Sequence, residues 1–272
     1  MKNLISILLC LLIVSNAESQ TFRDYFDSGW TKDSLQDYSG AVEEYNKALE
    51  LNPSCPACFM ARAISEEHME DYRSAIADYT ELIDEFNNNH QNDFLIKSRA
   101  KNYLVLQEYT DAINDIDRYL ELFPKDAEAY SIRGVANNDM GDYLSAMKDY
   151  NKAILLNPKF DNCFLLRGLT KYNLKDYRGA IADYSKAIAI KPRNEDAYFK
   201  RGRAKYNLSD YNGAILDFNK VIEINPNNAM AYALRGGAKL VLNQKESACL
   251  DMSKSGELGN ENAYNAIKEY CQ

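Results

Sequence analysis

Histidine is nearly missing from this 272-residue chain; His68 and His90 are the two it has. Little material is left for metal coordination or for a nucleophile–histidine relay. Proline and glycine are sparse as well, at six and twelve, which argues against a loop-rich β fold built on tight turns. Positive charge is in deficit, 32 Lys+Arg against 40 Asp+Glu, for a formal charge of −8. A chain this acidic is a poor holder of phosphate backbones, so nucleic acid is not an expected partner. After the first seventeen residues no stretch is long and apolar enough to cross a bilayer, and no membrane span is expected in the mature chain. Hydrophobic residues stand at 46%, too many for a disordered chain.

Residues 1–17 read as a cleavable secretory signal. Lys2 precedes an apolar run from Leu4 to Val14, and Ser15-Asn16-Ala17 puts small residues where a signal peptidase reads. As a helix that run reaches roughly 16 Å, about half of a bilayer core. A lipoprotein signal at Cys10 does not fit, because Leu9 stands where a small residue is needed. The expected location is therefore exported, periplasmic or secreted, with 18–21 as a short linker.

Internal repetition organises the rest. Tyr38, Tyr72, Tyr109, Tyr143, Tyr177 and Tyr211 recur at a spacing of 34, stretched once to 37. Ala41, Ala75, Ala112, Ala146, Ala180 and Ala214 follow in step, and Pro53, Pro124, Pro158, Pro192 and Pro226 share one phase. Seven units result, over 22–55, 56–89, 93–126, 127–160, 161–194, 195–228 and 229–256. In the fourth, Tyr143, Ala146, Met147, Tyr150, Ala153 and Ile154 keep the three-and-four spacing of a helix face. Gly141-Asp142 turns the chain before it, and Asn157-Pro158 ends it because proline cannot continue a helix interior. Each unit reads as a helical hairpin, with small residues such as Gly134 and Ala146 where the two helices approach closely.

The string Ala129-Tyr130-x-x-Arg133-Gly134, Gly141-Asp142-Tyr143-x-x-Ala146, Asp149-Tyr150-x-x-Ala153, Asn157-Pro158 resembles the signature of the tetratricopeptide repeat family. The resemblance runs through all seven units. It implies an all-α fold, a right-handed α-solenoid of seven repeats closed by a capping helix within 257–272. It also implies a non-enzymatic scaffold that binds a peptide segment of a partner protein in a concave groove, with no cofactor and no metal. The alternative is a structural spacer or docking subunit of a cell-envelope assembly.

Charged residues repeat too. Arg62, Arg99, Arg133, Arg167, Arg201 and Arg235 share one place on the first helices; Asp78, Asp115, Asp149, Asp183, Asp217 and Asp251 share one on the second. In stacked antiparallel hairpins each Asp falls opposite its own Arg and the Arg of the next unit. The expected result is a structural ladder, each carboxylate shared between two guanidiniums, rather than a row of anion sites.

Cys55-Pro56-Ala57-Cys58 has the spacing of a redox pair but straddles two hairpins, so a structural disulfide, two idle thiols and a redox pair stand as alternatives. No further ligands at matching spacing complete a zinc site. The segment from Ala248-Cys249 through Gly256–Asn260 resembles the closing segment of exported bacterial repeat proteins. Cys249 and Cys271 lie at similar heights on either side of that turn, which favours a disulfide in an oxidising compartment; the alternative is that all are reduced.

The family resemblance also points to the concave places of the first helices. Their apolar members concentrate in the last three units, giving an expected partner groove of Leu165, Leu169, Tyr172, Asn173, Phe199, Arg203, Tyr206, Asn207, Met230 and Leu240. Lys97 and Lys101 lack the matching Asn and Arg spacing of a carboxylate clamp. The rival reading has Leu165, Leu169 and Phe199 packing between neighbouring first helices.

Overall fold

The computed structural model describes residues 17–85 and 93–271. The expected signal up to Asn16, and the polar segment carrying His90, lie outside those residues. Among the described residues fifteen helices follow one another and no strand occurs. They are α1 (Ala17–Ser34), α2 (Tyr38–Leu51), α3 (Pro56–His68), α4 (Tyr72–Glu85), α5 (Asp93–Val105), α6 (Tyr109–Leu122), α7 (Ala127–Asp139), α8 (Tyr143–Leu156), α9 (Asp161–Asn173), α10 (Tyr177–Ile190), α11 (Glu195–Asn207), α12 (Tyr211–Ile224), α13 (Ala229–Val241), α14 (Lys245–Glu257) and α15 (Glu261–Tyr270). Residues 18–21, expected as a linker, are instead part of α1, where Ala17, Glu18 and Gln20 are good helix formers.

Local chemistry sets these boundaries. Asp37, Asp71, Asp142, Asp176 and Asp210 each accept the backbone N–H three residues on, at 2.9–3.2 Å, and so open the second helix of a hairpin. Just ahead of the caps the chain reverses through the left-handed region. Gln36, Glu70, Gln107, Lys175, Ser209 and Asn243 have φ between 61° and 63°, and Gly141 has φ 87°. Of these seven only Gly141 lacks a Cβ to crowd the carbonyl; Gly259, with φ 93°, turns the chain in the same way ahead of α15. At the far end α2, α6, α8, α10 and α12 stop two residues before a proline.

The chain divides into two units, Met1–Met140 and Gly141–Gln272. In the first, α1–α2, α3–α4 and α5–α6 pair as hairpins, each second helix packs on the next first helix, and α7 packs on α6. Its core is formed by Phe22, Phe26 and Tyr45 at one end and Tyr79, Leu82, Leu95, Ile96 and Ile116 further along. In the second, α8 packs on α9, the pairs α9–α10, α11–α12 and α13–α14 follow, and α15 packs on α14. A small residue on each first helix makes room for a large one on the second. A Cβ at Gly168 would stand 2.7 Å from the Tyr184 ring, and one at Gly202 would stand 2.9 Å from Phe218. Hairpin succeeds hairpin by the same contacts, the architecture of an all-α solenoid.

Candidate interaction surface

The repeated charges are spent within the fold. Each of five arginines holds an aspartate sixteen residues on through Nε and Nη2: Arg62 to Asp78 (2.7 and 2.6 Å), Arg99 to Asp115 (2.8 and 2.7 Å), Arg167 to Asp183 (2.9 and 2.5 Å), Arg201 to Asp217 (3.0 and 2.6 Å) and Arg235 to Asp251 (2.8 and 2.6 Å). Nη1 reaches back toward the preceding hairpin. It finds Asn46 from Arg62, Thr80 from Arg99, Asp117 from Arg133, Asn151 from Arg167, Ser185 from Arg201 and Asn219 from Arg235. The expected sharing of one carboxylate by two guanidiniums is thus corrected. The acceptor of the second contact lies two residues beyond the Asp, half a turn further along the helix. A lysine one turn after the Arg supplies the second cation instead, Lys171 to Asp183 (2.7 Å), Lys205 to Asp217 (2.8 Å) and Lys239 to Asp251 (2.7 Å). Arg133 and Asp149 belong to different units, and Asp149 is buried. Lys97 and Lys101 are likewise held internally, by Asp126 and Glu128.

Of the residues assigned to the groove, most line one face of α9, α11 and α13 in the second unit. The Asn207 side-chain amide donates to the Tyr172 hydroxyl at 2.6 Å, and Arg203 reaches the same oxygen at 3.4 Å. The Arg203 guanidinium also lies over the Tyr172 ring, 5.3 Å from its centroid. Tyr206 is set edge-on to Tyr211 at 5.2 Å and lies beside Gly237 of α13, where a Cβ would be 3.6 Å from its hydroxyl. Burial pushes the Tyr206 phenol up from its ordinary value. Arg203, Asn207 and Asn173 are exposed; Leu169, Tyr172, Tyr206 and Leu240 are half-buried.

Leu165 does not belong to that face. It is buried in one core cluster with Phe164 of its own helix, Ala180 and Tyr184 of α10 and Ala197 of α11. Phe199 is half-buried and leans on Phe218 with centroids 6.1 Å apart. Met230 is exposed at the start of α13 and lines a separate cleft with Met252, Asn260 and Ala263, beside α15. Cys249 and Cys271 are paired as a disulfide, whereas Cys55, Cys58 and Cys163 are buried and stand outside any disulfide. Among the described residues no group of three His, Cys, Asp or Glu could hold a metal ion, and no helix is long and apolar enough to cross a membrane.

Models described as tetratricopeptide repeat match residues 25–55, 98–160 and 195–228, and one described as TPR repeat matches 171–209. A tetratricopeptide repeat protein from Parabacteroides merdae shares the fold at 23% identity, covering 92% of this chain and 97% of its own, with a TM-score of 0.69. MamA is 26% identical over 62% of this chain and 96% of its own, with a TM-score of 0.55. YrrB, described as a TPR protein with an unusual peptide-binding site, is 22% identical over 70% of this chain and 97% of its own, with a TM-score of 0.59. No curated protein matches the sequence.

Proposed function

The chain belongs to the tetratricopeptide-repeat family, and from that premise we propose that it is an exported, non-enzymatic scaffold holding an extended peptide segment of a partner protein on the α9–α11–α13 face. Scaffolding of protein interactions is what the fold and its relatives support. The observation that carries the finer reading is Arg203. Among the described residues it pairs with no carboxylate, although it is exposed among half-buried Leu169, Tyr172 and Tyr206. Elsewhere in this acidic chain the repeated arginines are consumed by aspartates. A cation left open beside aromatic rings suits a peptide carrying an acidic side chain next to an aromatic or apolar one. Export rests on the pattern of residues 1–17. N-terminal sequencing of the chain from its native source is expected to begin after Ala17; a chain that retains Lys2 removes that part.

Selection of random peptides on the folded protein tests the groove. Peptides bearing an acidic residue should be enriched, and Arg203→Glu should weaken their binding by about tenfold or more, ~1.4 kcal/mol. Tyr206→Ala should weaken it as well, with the helical circular-dichroism signal unchanged. Selected peptides indifferent to both substitutions would move the surface elsewhere. Failure to select any peptide would favour the spacer alternative.

A further inference from the structure

Two thiols bracket the first turn of α3 and take no part in the peptide reading. Cys55 is the N-cap and Pro56 the first helical residue, and the Cys55 Sγ accepts the backbone N–H of Cys58 at 3.2 Å. Both are reduced and buried, at 6% exposure for Cys55 and 0% for Cys58. They sit where α3 meets Phe22, Phe26, Tyr45 and Leu49 of the first hairpin, directly after the exposed Pro53 and Ser54. Residues three apart at a helix start lie within the Cα separation that a disulfide spans. We propose that Cys55 and Cys58 form a peroxide-responsive dithiol, with Cys55 as the attacking sulfur and Cys58 as the resolving one.

The two sulfurs are unequal. Hydrogen bonds from the Cys58 thiol and from the backbone N–H groups of Cys58 and Ala57 hold the Cys55 thiol below its ordinary value, against the effect of burial. Its bond to Cys55, and then burial, push the Cys58 thiol up. Cys55 is the nucleophile because it caps the helix N-terminus, with the Cys58 N–H aimed at its sulfur at 3.2 Å. With 6% of its surface exposed, Cys55 is open to a two-oxygen molecule more readily than to a glutathione-sized disulfide. In the first step the Cys55 sulfur attacks one oxygen of hydrogen peroxide. An S–O bond forms, the O–O bond breaks, and the departing hydroxide leaves as water with the thiol proton. The Cys58 sulfur then attacks Cys55, forming S–S and breaking S–O; the oxygen leaves as a second water with the Cys58 proton. The dithiol loses two electrons and the peroxide gains them.

The test treats the folded, full mature protein with hydrogen peroxide, then alkylates, denatures and digests it for peptide mass spectrometry. The peptide holding both cysteines should lose two hydrogen atoms, and dithiothreitol should restore them. Cys58→Ser should keep one added oxygen at residue 55, trapped by dimedone. Cys55→Ser should leave Cys58 modified about tenfold more slowly. The proposal is overturned if both thiols stay fully alkylatable after peroxide in the parent protein, or if Cys58 reacts as fast without Cys55. It is equally overturned if oxidised glutathione closes the bond as quickly as peroxide, or if the isolated protein carries a Cys55–Cys58 bond that dithiothreitol does not open.

Discussion

At Arg167 one guanidinium serves two helical layers, with Nε and Nη2 on Asp183 and Nη1 on Asn151. Removing it as Arg167→Ala leaves the buried Asp183 with Lys171 alone. The loss should be about 2–3 kcal/mol in urea unfolding, just under the range for stranding a buried partner outright. Arg167→Lys should recover only part, since an ammonium cannot present two parallel donors and a third behind them. A parent-like midpoint for Arg167→Ala would show that the layers do not depend on the contact. Lys175 carries a different kind of cost, because its φ of 63° places a Cβ in the left-handed region. Relief of about 1–2 kcal/mol is partly offset by the extra unfolded-state freedom of glycine, so Lys175→Gly should stabilise by about 0.5–1 kcal/mol. The Lys175 turn was hidden in the sequence because glycine marks the same place only at Gly141 and, ahead of α15, at Gly259.

Within the second hairpin, α3 and α4, the charge pattern breaks. The place that holds Lys171, Lys205 and Lys239 elsewhere holds Glu66, buried, with Oε2 unpartnered and Arg62 3.9 Å from Oε1. Burial, and then the Asp78 charge, push the Glu66 carboxyl up to about 8 from its ordinary 4.5. The native state therefore keeps this proton up to about pH 8, whereas the unfolded chain gives it up near pH 4.5. Across that window the native state binds more protons, so stability falls as pH rises and levels off above it. Glu66→Gln should flatten this slope in unfolding measured at pH 5, 7 and 9. Glu66→Lys should go further and give Asp78 the second cation that Asp183 has, a gain of about 1–3 kcal/mol at pH 8. A slope unchanged by Glu66→Gln would assign it to another group. The hairpins themselves were legible from Tyr, Ala and Pro in phase, because every unit must solve the same packing problem. The burial of Leu165 stayed open between two readings. Places on a helix face lie one after another around the axis, and whether the outermost is covered depends on the size of neighbours such as Phe164 and Tyr184.

In a repeat array each hairpin touches only its neighbours, so an end must be covered by something other than another repeat. In the second unit α15 is that cover. Ala263 is buried, the Tyr264 ring lies against Gly256 and its hydroxyl donates to the Gly256 carbonyl at 3.2 Å, and Asn260 donates to the buried Ser255 hydroxyl at 2.9 Å. These contacts are few for a helix of ten residues, and the Cys249–Cys271 bond, closing a separation of 22, adds a constraint that does not depend on them. In the chain-entropy model a loop of this length contributes roughly 3 kcal/mol. Thiol counting on the denatured, unreduced chain from Glu18 onward should find three thiols outside a disulfide, those of Cys55, Cys58 and Cys163; finding the other two as well would remove the bond. Cys271→Ser should lower the melting temperature, and its effect should be graded along the unit. Amide exchange should quicken most in α15, next in α14 once Met252 and Gly256 lose their cover, and least in α9 and α10, which reach α15 only through the intervening hairpins. Uniform acceleration across all of these helices would mean that the second unit opens as one body, and that α15 acts on the whole of it rather than on its end.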